Sequence, residues 1–188
     1  DELDEAAFAD AVNRAKASIQ ELLDAGLLLC FYLYRYEEAA LFLYQEQLSD
    51  ADEADPEQYL HPLEPFLKSW PQLDGDRKFA AMAPVYYHQL PTDAASWTKG
   101  RDEQHEKIGR IAFLKEGKLS SYVRHHAAIV DEGLLKGDRF QFISIHENIL
   151  FSVFQEPRDN VNIKGLEAPS RAIEDWMAVD PESHFDRE

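Results

Sequence analysis

The sequence predicts an α+β chain built from two copies of one βαββ-type unit. Segments with apolar residues at helical spacing alternate with short aromatic runs that read as strands. Each half of the chain carries one aromatic hairpin, and in each half a tryptophan-containing amphipathic segment follows it.

From Asp4 to Ala25, apolar Phe8, Val12, Ala15, Ile19, Leu22 and Leu23 recur every three or four residues, and Gly26 supplies a stop. LLLCFYLYRY and AALFLYQEQ then read as two strands, with a tight turn at Glu37 and Glu38. Tyr32, Tyr34 and Tyr36 share one face of the first strand, as an inter-sheet core or as an aromatic shelf for a ligand. Pro56 to Trp70 reads as a short or kinked helix, because Pro62 and Pro65 interrupt it. After the turn-like LDGD, APVYYHQLP reads as a strand ended by Pro91, closing a first half of order α, β, β, α, β. Residues 1 to 5 leave no room for a strand before the first helix.

Beyond a polar connector, Thr92 to Gln104, the order resumes with an added strand, Lys107 to Lys115. Gly117 breaks it, and Leu119 to Leu135 follows as a helix starting at Ser120 or Ser121. After Gly137-Asp138, RFQFISI and ILFSVFQ form a second hairpin around His146, Glu147 and Asn148, ended by Pro157. Its strands are apolar on consecutive positions, so burial on both faces is expected. Ser170 to Val179 reads as a last helix with Ser170 as its N-cap. A βαββα unit covers one face of its sheet with helices, and two such sheets packed face to face would cover the other.

Composition narrows the function classes. The 188 residues suffice for one domain or two of ~90. With 36 acidic and 19 basic residues the net charge is −17, and no Lys/Arg stripe stands ready for phosphates, which argues against nucleic acid. The acidic runs at Asp1 to Glu5, Ser49 to Glu57 and Asp180 to Glu188 read as solvated ends and a loop. The longest apolar stretch, Gly26 to Tyr34, falls well short of the ~20 residues of a membrane-spanning helix, so the chain is read as soluble and without a membrane partner. A single cysteine, Cys30, fits a reducing compartment, read here as the cytoplasm.

The stretch RIAFLKEGKLSSYVRHHAAI, then FISIHENILFSVFQE, then the Trp176-Met177 helix, resembles the L-rhamnose mutarotase family over residues 105–188. The resemblance rests on a Tyr-x-x-x-His helix (Tyr122, His126), the NILF of the hairpin (Asn148 to Phe151) and Trp176. Ile129 stands where that family usually has a helix tryptophan, seven positions after the tyrosine, and its tandem tryptophan pair is reduced to Trp176. The resemblance implies tandem ferredoxin-like units, a diverged one at 1–91 and a mutarotase-like one at 105–188, pairing as a dimeric α/β-barrel-like pseudo-dimer of antiparallel sheets. It implies cofactor-free interconversion of the anomers of a rhamnose-type monosaccharide, in a monomeric pseudo-dimer or a homodimer.

Mutarotation takes a proton from the anomeric hydroxyl and delivers one to the ring oxygen, a task for groups titrating near neutrality. Tyr122 and His126 lie four apart on one helical face, which makes His126 the candidate acid/base and Tyr122 its hydrogen-bonding partner. His125 points about 100° away. Arg110, Asn148 and Trp176 are the candidate substrate-binding residues, with Arg110 and Arg124 alternatively solvated or ion-paired. Adjacent His125 and His126, with His105 and His146 elsewhere, invite a metal, but no H-x-x-x-H or H-E-x-x-H spacing occurs, so neither metal nor cofactor is expected. His88 reads as an edge-strand residue. Two other readings stay open: a cofactor-independent monooxygenase on a dimeric α/β barrel, and a non-catalytic protein that binds a small ligand or pairs with itself.

Overall fold

The computed structural model describes residues 3–37, 40–48, 54–71, 75–88, 90, 92–99, 101 and 105–187. The expected turn residue Glu38, residues 49–53 of the acidic loop, Leu73 and Asp74 of LDGD, Pro91 and residues 102–104 of the connector lie outside them. Two compact units emerge, Asp1–Ala81 with Pro91–Trp97, and Met82–Leu90 with Thr98–Glu188.

The first unit opens with α1 (Glu5–Asp24), whose free N–H groups at Ala6 and Ala7 are capped by the Asp4 carboxylate. Gly26, at φ 72°, ends it in the left-handed conformation that favours glycine. The hairpin β1 (Cys30–Tyr36) and β2 (Ala40–Glu46) follows as expected, in register from Cys30 opposite Glu46 to Tyr36 opposite Ala40. Phe31, Leu33, Leu41 and Leu43 pack against the buried cluster that contains Ala11, Ala15 and Ile19 of α1. The tyrosines take the opposite face, where Tyr32 stacks on Tyr44 with ring centroids 6.2 Å apart. Arg35 of β1 clamps Glu5 at the start of α1 through two 2.8 Å hydrogen bonds. Pro56 to Trp70 resolves into α2 (Pro56–Tyr59) and a tight 3-10 turn, His61–Phe66, whose Pro65 rules out a continuing α-helical ladder.

In the second unit, β3 (Ala83–Tyr87), β4 (Glu106–Leu114), α4 (Leu119–Glu132), β5 (Gly137–Asp138), β6 (Phe142–His146), β7 (Ile149–Glu156), β8 (Asn160–Val161), α5 (Arg171–Ala178) and β9 (Phe185–Asp186) follow one another; α3 (Ala94–Thr98), between β3 and β4 in the chain, belongs to the first unit but for Thr98. Five strands form one antiparallel sheet of order β3-β6-β7-β4-β9. Strand β3, which the sequence reading gave to the first half, bonds to β6 here. Its run of apolar residues identifies a strand but carries no information about which edge it joins.

Other departures are local. Helix α4 begins after Lys118 without a side-chain cap, and it ends at Gly133 (φ 69°) rather than at Leu135. Ser121, one of the two expected starts, lies inside the helix and meets Nε2 of His184 at 3.0 Å. The acidic tail is not wholly a solvated end: His184 is 1% exposed, and Phe185 and Asp186 pair with Leu114 and Phe113 of β4. Backbone pairing and Phe185, whose ring lies 6.0 Å from that of Tyr122, outweigh the tail's charge.

Both helices cover the face of the sheet that presents Tyr86, Ala112, Leu114, Ile143, Ile145 and Leu150, meeting it with Tyr122, Ile129, Ala172 and Trp176. Strand β7 is buried on both sides: Leu150 enters this core, while Phe151 and Val153, on the other face, are equally buried. Among the described residues no helix is long and apolar enough to cross a membrane.

Candidate functional site

The candidate site lies where α4 and α5 meet the sheet. Their relative position is set by Glu132, the last residue of α4. Its carboxylate accepts the main-chain N–H of Arg171 at 2.9 Å and of Ala172 at 3.3 Å, along with the Ser170 hydroxyl. Ser170 Oγ in turn accepts the N–H of Ile173 at 3.1 Å, so the exposed donors of the α5 N-terminus are met from two sides. These bonds, led by the one from Ser170, hold the Glu132 carboxyl below its ordinary range.

Four turns of α4 carry Tyr122 and His126 onto its buried face, 3% and 8% exposed. Their rings stack at 3.9 Å with 23° between planes, and Trp176 of α5 lies edge-on to both, 5.7 Å from Tyr122 and 5.0 Å from His126. The hydrogen bond between the pair is not the expected one through the phenol. Nδ1 of His126 lies 2.9 Å from the main-chain carbonyl of Tyr122. A carbonyl only accepts, so Nδ1 carries the proton and Nε2 is left with its lone pair. Burial, aided by His125 and His184 nearby and opposed by the Tyr122 carbonyl, lowers the His126 pKa to about 4, so the ring is neutral at pH 7. Burial alone raises the Tyr122 phenol well above its usual value.

His126 and Trp176 line a cavity of about 100 Å³. Tyr86 and Gln141 supply its other polar groups, and Ile129, Leu135, Ile143 and Ile173 its apolar walls. The Tyr86 ring meets that of His126 at 90°, centroids 6.3 Å apart, and its buried hydroxyl has no hydrogen-bond partner. Burial, then the Asp138 carboxylate, pushes that hydroxyl up to about 12, so it stays a neutral donor. Gly137 makes room for it: a Cβ there would lie 3.2 Å from the Tyr86 oxygen.

Of the expected site residues, Tyr122, His126 and Trp176 come together, while Arg110 and Asn148 do not join them at the cavity. Arg110 is exposed on β4 with its guanidinium 4.9 Å above the Phe154 ring. Asn148 sits in the β6–β7 turn, where its main-chain carbonyl accepts Leu114 N–H at 2.8 Å and its side chain reaches Leu114 O at 3.4 Å; it ties the turn to β4. His125 leans on Trp176 at 5.4 Å, and Nε2 of His88, just past edge strand β3, bonds the Val161 carbonyl. Among the described residues no three His, Cys, Asp or Glu side chains group as metal ligands.

Tyr86 and Gln141 were not singled out from the sequence. Tyr86 lies in a strand assigned to the other half, so nothing local placed it beside His126. Gln141 had a readable signal, a lone amide inside the aromatic run RFQFISI. Comparison with protein-family models, curated proteins and solved structures gives no match for this chain.

Proposed function

We propose that the second unit binds a small molecule in the cavity between α4, α5 and the sheet, without a cofactor, and that His126 is its principal polar contact. The observation that carries this reading is the fixed tautomer of His126, which leaves a neutral acceptor nitrogen on a buried ring that lines the cavity together with Tyr86, whose hydroxyl is unpartnered. Polar groups converging on a mainly apolar recess are the usual make-up of a ligand site. The strand order β9-β4-β7-β6, with helices on one face, supports a ferredoxin-like unit. Reading the helix and hairpin of the first unit as a diverged copy of it, and the pair as a barrel-like pseudo-dimer, belongs to the same proposal. Ligand-observed NMR with small neutral fragments tests the binding reading. Fragments are expected to bind, and to lose binding when Leu135→Phe fills the cavity; no binder sensitive to that change sinks it.

A sugar mutarotase is the second reading, favoured by the meeting of Tyr122, His126 and Trp176 in one cluster. Two features weigh against it. The cavity is smaller than the roughly 300 Å³ at which ligand pockets usually begin. A histidine with its pKa near 4 is a weak base for a hydroxyl proton at pH 7. Saturation-transfer NMR on equilibrated aldohexoses and 6-deoxyhexoses decides. Exchange between anomers that disappears in His126→Ala supports catalysis, and rates equal to the buffer background end this reading.

A further inference from the structure

We infer that the cavity selects a neutral hydroxyl compound no larger than phenol, and rejects carboxylates and phosphates; this rests on reading the cavity as a binding site. Nε2 of His126 is an acceptor, since Nδ1 spends its proton on the Tyr122 carbonyl, and a ligand must therefore bring a donor to it. The Tyr86 hydroxyl, buried and unpartnered, has a proton to give, so the ligand must also accept. A hydroxyl group does both at one oxygen, as a carboxylate, an ether or a hydrocarbon does not. The Gln141 amide adds a donor and an acceptor, and the remaining walls are aliphatic or the face of Trp176.

Charge points the same way. Among the described residues no lysine or arginine lines the cavity, and Arg110 stands on the sheet surface over Phe154. The nearest charge acting on Tyr86 is the buried Asp138 carboxylate, whose oxygens accept the N–H groups of Phe140 and Gln155. An anion would face a lone pair and a negative charge with no cation to offset its desolvation. Size supplies the last limit: a closed apolar cavity of roughly 150 Å³ holds benzene in other proteins, and the present recess, about 100 Å³ and open on one side, holds part of a single ring and lets the rest project from its mouth. Gly137 guards the hydroxyl end, because any side chain there presses on the Tyr86 oxygen.

The test is a titration of the whole chain with phenol, 2-methylpropan-1-ol, toluene, benzoate and rhamnose, followed by the indole N–H and backbone shifts in ¹H–¹⁵N NMR. Phenol and the small alcohol are expected to bind about tenfold more tightly than toluene, the difference made by one well-placed hydrogen bond. Benzoate and rhamnose are expected not to bind. In His126→Phe, phenol falls to the affinity of toluene while toluene is unchanged. Should that variant fail to fold, Tyr86→Phe and Gly137→Ala are expected to weaken phenol selectively. Benzoate binding best, or toluene matching phenol in the native chain, overturns the selectivity and leaves a binding site standing. If none of the five binds and the cavity holds water alone, the binding reading itself is overturned.

Discussion

The Nδ1 proton of His126 is held by the carbonyl of Tyr122, one helical turn back, at 2.9 Å. That bond fixes the tautomer and orientation of a ring that burial keeps neutral, and so leaves Nε2 as its acceptor. Burial makes the histidine a cost to the fold in acid, because it penalises the protonated form while the unfolded chain accepts the proton freely.

The sign of the pH effect follows from the lowered pKa. Above the ordinary value of 6.5 both states are neutral, and the group adds nothing to the pH dependence. As the pH falls from 6.5 towards about 4 the unfolded chain binds a proton that the folded chain refuses, so stability is lost, by about 3 kcal/mol in all. His88, also lowered chiefly by burial, acts in the same direction. Urea unfolding between pH 7.5 and 5 is expected to show a falling midpoint, with much of the slope removed in His126→Phe. A slope unchanged by that substitution contradicts the assignment.

Ser170 and Glu132 form one cap on α5. Ser170→Ala is expected to destabilise the protein by about 1 kcal/mol, measured by chemical denaturation. Glu132→Gln is expected to destabilise as well, and the double variant to lose less than the two single losses together, since both serve the same helix end.

Gln155 presents the opposite case. Its main-chain N–H donates to Asp138 at 3.1 Å, but both atoms of its side-chain amide are buried without a partner, and the residue is 1% exposed. Replacing a buried, unpaired amide by an apolar group of similar size removes a desolvation cost. Gln155→Met is therefore expected to raise stability by about 1 kcal/mol. A lower melting temperature in the variant shows instead that the amide is satisfied.

The β6–β7 turn carries a smaller strain. Glu147 occupies φ 52°, the first of two turn residues, where a side chain is disfavoured and glycine is the usual choice. Glu147→Gly is expected to stabilise the hairpin by roughly 0.5–1 kcal/mol after glycine's own entropic cost. Thermal unfolding beside the parent chain checks it.

Much of the local structure was legible in the sequence. Helical spacing from Phe8 to Leu23 with Gly26 behind it, the two aromatic hairpins, and Ser170 ahead of the last helix all report on neighbours within a few residues, as does the shared face of Tyr122 and His126. That same pattern foretold a β7 buried on both faces. Only the tertiary structure decided that β3 belongs beside β6, that Phe185 and Asp186 extend the sheet next to β4, and that Tyr86 and Gln141 rather than Arg110 and Asn148 share a cavity with His126. Periodicity says which face of a strand is buried and is silent on which edge it bonds, because a ladder is made with backbone groups every residue has. The tautomer of His126 was likewise out of reach of the sequence, since it depends on where one ring nitrogen lies relative to one carbonyl.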